Sequence, residues 1–176
     1  MRFLMIVFLI LPGFVLAAGS DTGSPPVKTQ TSKNCKGVQV WDKKTKTCVN
    51  PQDSSLDQHE LMEAVRELAY AGRNKGAQVV LRHMANQNDD LVLTYWGFTN
   101  RKLGKRKLAN EYYARAIAQN PDNLLARSYM AQGFVSEGRK KEAVAQLTEI
   151  RARGGTGTWA EASLSKAIRT GKTYNN

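Results

Sequence analysis

The sequence predicts an all-α fold of about three stacked helix-turn-helix hairpins with a C-terminal capping helix, preceded by a small disulfide-closed β-hairpin. Three observations predict it. Apolar residues recur at helical spacing in paired runs separated by single glycines, among them Leu61, Ala64, Val65 and Leu68 before Gly72, and Leu93 and Trp96 before Gly104. Landmarks return at a steady interval: Gly72 to Gly104 and Ala77 to Ala109 both span 32 residues, and Gly104 to Gly138 and Ala109 to Ala143 both span 34. The chain holds only two cysteines, Cys35 and Cys48, both ahead of the helical part.

The first element is a signal peptide at residues 1–18. Arg2, the apolar run from Phe3 to Leu16 and the small residues Ala17 and Ala18 have that layout, with cleavage expected near Ala17 or Ala18. The run falls short of the roughly 20 residues of a spanning helix, so the chain is expected to be exported, to the periplasm. Its net charge of +11 is strongly basic. For an exported chain this points to acidic proteins, an anionic membrane or cell-wall polymer as partners, and no nucleic acid is expected. Residues 19–34, almost wholly Ser, Thr, Gly, Pro, Lys and Gln with Val27 as the one aliphatic, are expected to form a disordered linker.

Residues 35–50 form the second element. Val38 and Val40 alternate with Gln39, Asp42-Lys43-Lys44 has turn character, and Thr45, Thr47 and Val49 alternate with Lys46, which predicts two short strands. In an oxidising compartment Cys35 and Cys48 should pair. Closing that loop contributes on the order of 3 kcal/mol, which a hairpin of this size needs. Trp41 is expected to pack on the disulfide or on the first helix.

The helical part spans 56–172. Ser55 and Gln58 have capping-box spacing for the first helix, and Ala77, Val80, Leu81 and Met84 mark the second. In the central hairpin Gly97 and Ala109 let two backbones approach while Trp96 and Tyr113 fill the seam, and Asn120-Pro121-Asp122 stops the chain. Met130, Ala131, Phe134, Gly138, Ala143 and Leu147 repeat these landmarks, and Trp159, Ala162, Leu164, Ala167 and Ile168 mark a last helix ending before Gly171.

The pattern Trp96-Gly97, Ala109, Tyr113, Ala116, Pro121 resembles the tetratricopeptide repeat, in the form found in exported bacterial proteins. The resemblance implies stacked hairpins whose first helices line a concave groove for another protein. By register the groove would hold His59, Met62, Arg66 and Tyr70, then Leu91, Thr94, Phe98, Arg101 and Lys102, then Leu125, Ser128 and Gln132. Such a mixture suits an acidic peptide. The turns add a basic edge of Lys105, Arg106, Lys107, Arg139, Lys140 and Lys141.

These features describe a non-enzymatic scaffold of the bacterial cell envelope. His59 and His83 fall on different helices, no nucleophile elbow or phosphate loop occurs, and no catalytic residue, cofactor or metal is expected. The alternative is a protein that binds cell-wall glycan or an anionic surface. The Trp41 hairpin, which resembles cysteine hairpins of secreted carbohydrate-binding modules, would act there together with the basic edge.

Overall fold

The computed structural model describes residues 28–53 and 55–174. The expected signal peptide and the linker up to residue 27 lie outside the described residues. Among the described residues no helix is long and apolar enough to cross a membrane.

The chain enters through a short helix, α1 (Gln30–Asn34), and two antiparallel strands, β1 (Val40–Asp42) and β2 (Thr47–Val49). Val40 pairs with Val49, Trp41 with Cys48 and Asp42 with Thr47, which places Cys48 within reach of Cys35 and lets the two close a disulfide. Asp42 builds the turn. Its Oδ1 accepts from the amides of Lys44 at 2.7 Å and Thr45 at 3.3 Å. The Ser55 hydroxyl and these amides hold the Asp42 carboxyl down at about 2.

The helix at 30–34 corrects the expectation of a disordered linker up to residue 34. The cause is Glu67, on the first long helix. Its carboxylate accepts from the amides of Thr29 at 2.7 Å and Ser32 at 2.6 Å and also bonds the Thr29 hydroxyl, so it caps the start of α1 from outside. Thr31 is buried beneath Trp41, whose amide donates to its hydroxyl.

Seven further helices follow: α2 (Gln58–Tyr70), α3 (Asn74–Leu81), α4 (Asp90–Lys102), α5 (Arg106–Gln119), α6 (Leu124–Ser136), α7 (Lys140–Ala152) and α8 (Trp159–Thr170). They pair as hairpins α2–α3, α4–α5 and α6–α7, with α8 packed on both α6 and α7. One turn joins every pair. Gly72, Gly104 and Gly138 take φ of 77°, 80° and 74°, and the next amide reaches back to the carbonyl five residues earlier, Arg73 to Leu68, Lys105 to Asn100 and Arg139 to Phe134. The first long helix starts with the capping box Asp57 and Glu60 rather than Ser55 and Gln58, because Asp57 is the last residue with extended backbone.

The seams close as the small residues require. Ala77, Ala109 and Ala143 are buried, and Gly97 faces the ring of Tyr113 so tightly that a Cβ would lie 2.6 Å from it. Trp96 does not fill that seam. It turns outward and stacks on Tyr112 at 5.8 Å and 18°. Helices α2, α4, α6 and α8 pack side by side as an inner layer. The outer helices α3, α5 and α7 pack on the inner ones rather than on each other, which leaves the inner layer on the concave side.

A groove on the inner face, half open and half filled

Tyr95 and Tyr129 stand 34 residues apart on α4 and α6 and form the buried floor of the inner face. Tyr70, the last residue of α2, crosses to them. Its hydroxyl bonds those of Tyr95, at 2.9 Å, and Tyr129, and its ring meets Phe98 edge-on with 5.7 Å between centroids. Burial pushes the Tyr95 and Tyr129 phenols well up, so both stay protonated and able to donate.

Among the described residues the face is open on one side of Tyr70. A cleft of about 140 Å³ is lined by His59, Met62, Glu63 and Arg66 of α2, Leu91 and Tyr95 of α4, and Leu125 of α6. It continues toward the α3–α4 connection through a second cleft of about 320 Å³ that shares His59, Met62 and Leu91. Arg66 lies over the Tyr70 ring at 6.0 Å, while Glu63 pairs with Lys43 of the β-hairpin at 2.6 Å. The cleft is thus apolar at its base with a guanidinium at its inner end.

On the other side the face is filled by the chain itself. Gly171, with φ of 71°, ends α8, and residues 171–174 return across the inner face. The Tyr174 amide donates to Gln132 Oε1 at 3.0 Å, and Lys102 Nζ donates to the Tyr174 carbonyl at 2.8 Å. The Tyr174 ring packs edge-on against Tyr70, at 5.8 Å, and Trp159, at 5.0 Å. Burial, with Arg101 alongside, pulls the Lys102 ammonium down to about 8.

Of the residues expected in the groove, His59, Met62, Arg66, Leu91 and Leu125 come together in the open cleft, and Tyr70 divides it from the filled end. Phe98 is corrected: it is fully buried, 4.9 Å from the Tyr129 ring, with Arg101 and Lys102 over its face at 5.5 and 5.9 Å. Thr94 is buried as well, donating to the Asp90 carbonyl and accepting from Asn123 Nδ2. Ser128 lies under α8, its Oγ donating to the Ala160 carbonyl at 2.8 Å. Arg101 lies against Gly133, and Lys102 and Gln132 hold the tail. Register identifies the inner face of a helix but not which part of it α8 and the tail cover. Sequence reasoning missed Trp159 and Tyr174 as partners in this site. The available signal was Tyr174 itself, an aromatic standing alone in a polar run beyond the helix-stopping Gly171.

Elsewhere, Lys105 of the α4–α5 turn, Arg106 and Lys107 at the start of α5, and Lys140 and Lys141 at the start of α7 are exposed at the same end of adjacent hairpins. Arg139, exposed at the same edge, is paired with Glu142 at 3.0 Å and Glu137 at 3.3 Å and lies over the Phe134 ring. Trp41 is half-buried beside Glu60, Glu63 and Glu67. Among the described residues no three His, Cys, Asp or Glu side chains converge as a metal site would require. Comparison of the chain with protein-family models, with curated proteins and with solved structures gives no match.

Proposed function

We propose that the chain is an exported bacterial scaffold of the tetratricopeptide type, which holds a partner protein of the cell envelope in the open cleft and performs no chemistry on it. What supports the reading is one observation: a cleft on the concave face lined by three successive first helices, α2, α4 and α6, of hairpins that share one turn geometry. A partner segment laid there meets apolar ground at Met62, Leu91 and Leu125, and the chain's net charge of +11 favours an acidic peptide. The Cys35–Cys48 disulfide supports an oxidising compartment, and a signal peptide at 1–18 with periplasmic release belongs to the same reading.

The experiment places a photoreactive side chain at Met62, which is half-exposed in the cleft, and identifies what it captures in the exported protein. One dominant protein adduct, lost when Leu91 is changed to Asp, is the expected outcome. Glycan, lipid or scattered adducts would instead move the function to the alternative surface, the exposed cations of the turns with the Trp41 hairpin.

A further inference from the structure

The filled end of the groove treats Tyr174 as a receptor treats a bound peptide. Both backbone groups of this one residue are read by side chains of the groove, the amide by Gln132 Oε1 at 3.0 Å and the carbonyl by Lys102 Nζ at 2.8 Å. The aromatic ring sits edge-on between Tyr70 and Trp159. Recognition of an extended backbone by polar side chains, with an aromatic side chain in a ring-lined slot, is how grooves bind peptides in trans.

The tail is gripped by neighbouring hairpins as well as by the helix it leaves: its backbone bonds Lys102 of α4 and Gln132 of α6, and its ring meets Tyr70 of α2 and Trp159 of α8. Between the tail and α8 lies a cleft of about 480 Å³, lined by Trp159, Ala162, Lys166 and Thr170 on the helix side. A segment that belonged only to the end of α8 would lie down on that helix. This one spans the gap and lodges its aromatic ring against α2, at the far side of the inner layer.

We propose that this end of the groove is a recognition site for an extended peptide carrying an aromatic residue, occupied in cis by Tyr174 and open in trans to a partner's aromatic residue when the tail is displaced. This rests on the inner face being the docking surface and adds what its second half recognises. A tethered occupant competes at a high effective concentration, so the full chain should bind such a peptide weakly until the tail loses its ring.

The test uses the full chain and a fluorescently labelled copy of its own residues 171–176, GKTYNN, followed by anisotropy. Saturable binding to the Tyr174→Ala chain is expected, about tenfold or more tighter than to the unchanged chain. Binding should be lost for the probe GKTANN and weakened by adding Lys102→Met. Circular dichroism checks that the helices persist. If Tyr174→Ala proves unfolded, the Lys172→Pro chain, altered ahead of the gripped residue, takes its place. No binding to a folded variant, or equal binding of GKTYNN and GKTANN, would overturn the proposal. Failure here with capture at Met62 intact removes only the aromatic site. Peptide binding with only scattered adducts at Met62 removes the open cleft instead.

Discussion

At the scale of single residues, the tightest constraint in the stack is the approach of Gly97 to Tyr113. A Cβ at Gly97 would lie 2.6 Å from two atoms of the Tyr113 ring, and that ring is fully buried and has no open side to move into. Gly97→Ala is therefore expected to destabilise the chain by about 1–3 kcal/mol through overpacking, seen as a lower urea midpoint at unchanged slope. Gly76, inside α3, is the matched control. Its Cβ would meet nothing closer than 3.5 Å, so Gly76→Ala should leave stability level or raise it by up to about 1 kcal/mol through helix propensity. The sequence carried half of this pair. A small residue facing a large one is visible in the helical period, but that Trp96 would leave the seam to stack on Tyr112 depends on the exposed side of α5, which period alone does not describe.

At the scale of elements, the contrast between α1 and the β-hairpin explains what could be read. The hairpin is specified locally, by alternation, an Asp at the turn and two cysteines thirteen positions apart. Helix α1 has no such signal, since its order comes from a carboxylate more than thirty residues away. Glu67→Gln removes the charge from that cap, and hydrogen exchange at residues 30–34 should speed up while the β-hairpin and α2 keep their protection. Protection of α1 unchanged in this variant would show that the cap does not order it. The turn has its own pH dependence. Asp42 sits at about 2 in the folded chain, below its ordinary 3.8, so its contribution is fully present above the ordinary value and is lost as pH falls through the folded one. Acid titration followed by Trp41 emission should show a change between about pH 4 and pH 2 that Asp42→Asn abolishes.

At the scale of the whole molecule, the stack was legible and its occupancy was not. Repeat spacing, turn glycines and seam alanines are features of each hairpin by itself, and they recur in the structure where the spacing puts them. Burial of Ser128 depends on where α8 comes to rest, that of Thr94 on Asn123 ahead of α6, and that of Phe98 on Tyr70 and Tyr129 reaching in from the neighbouring hairpins. Charge is the other property that belongs to the whole. The chain carries +11, and Lys105, Arg106, Lys107, Lys140 and Lys141 stand exposed at one end of two neighbouring hairpins, while Arg139 is neutralised by Glu137 and Glu142. Cations grouped on one edge attract an anionic surface more strongly than the same charge spread evenly, and the attraction decays over a Debye length of about 8 Å at physiological salt. Reversing Lys105, Arg106 and Lys140 to Glu takes six charges from the total and concentrates the loss on that edge. If the edge meets an anionic envelope surface, adsorption to vesicles containing anionic lipid should fall steeply with salt for the unchanged chain and nearly vanish for the triple variant. Capture at Met62 should stay the same, because the open cleft lies on α2, α4 and α6 away from these turns. Adsorption that survives the triple reversal would assign it to some other surface of the molecule.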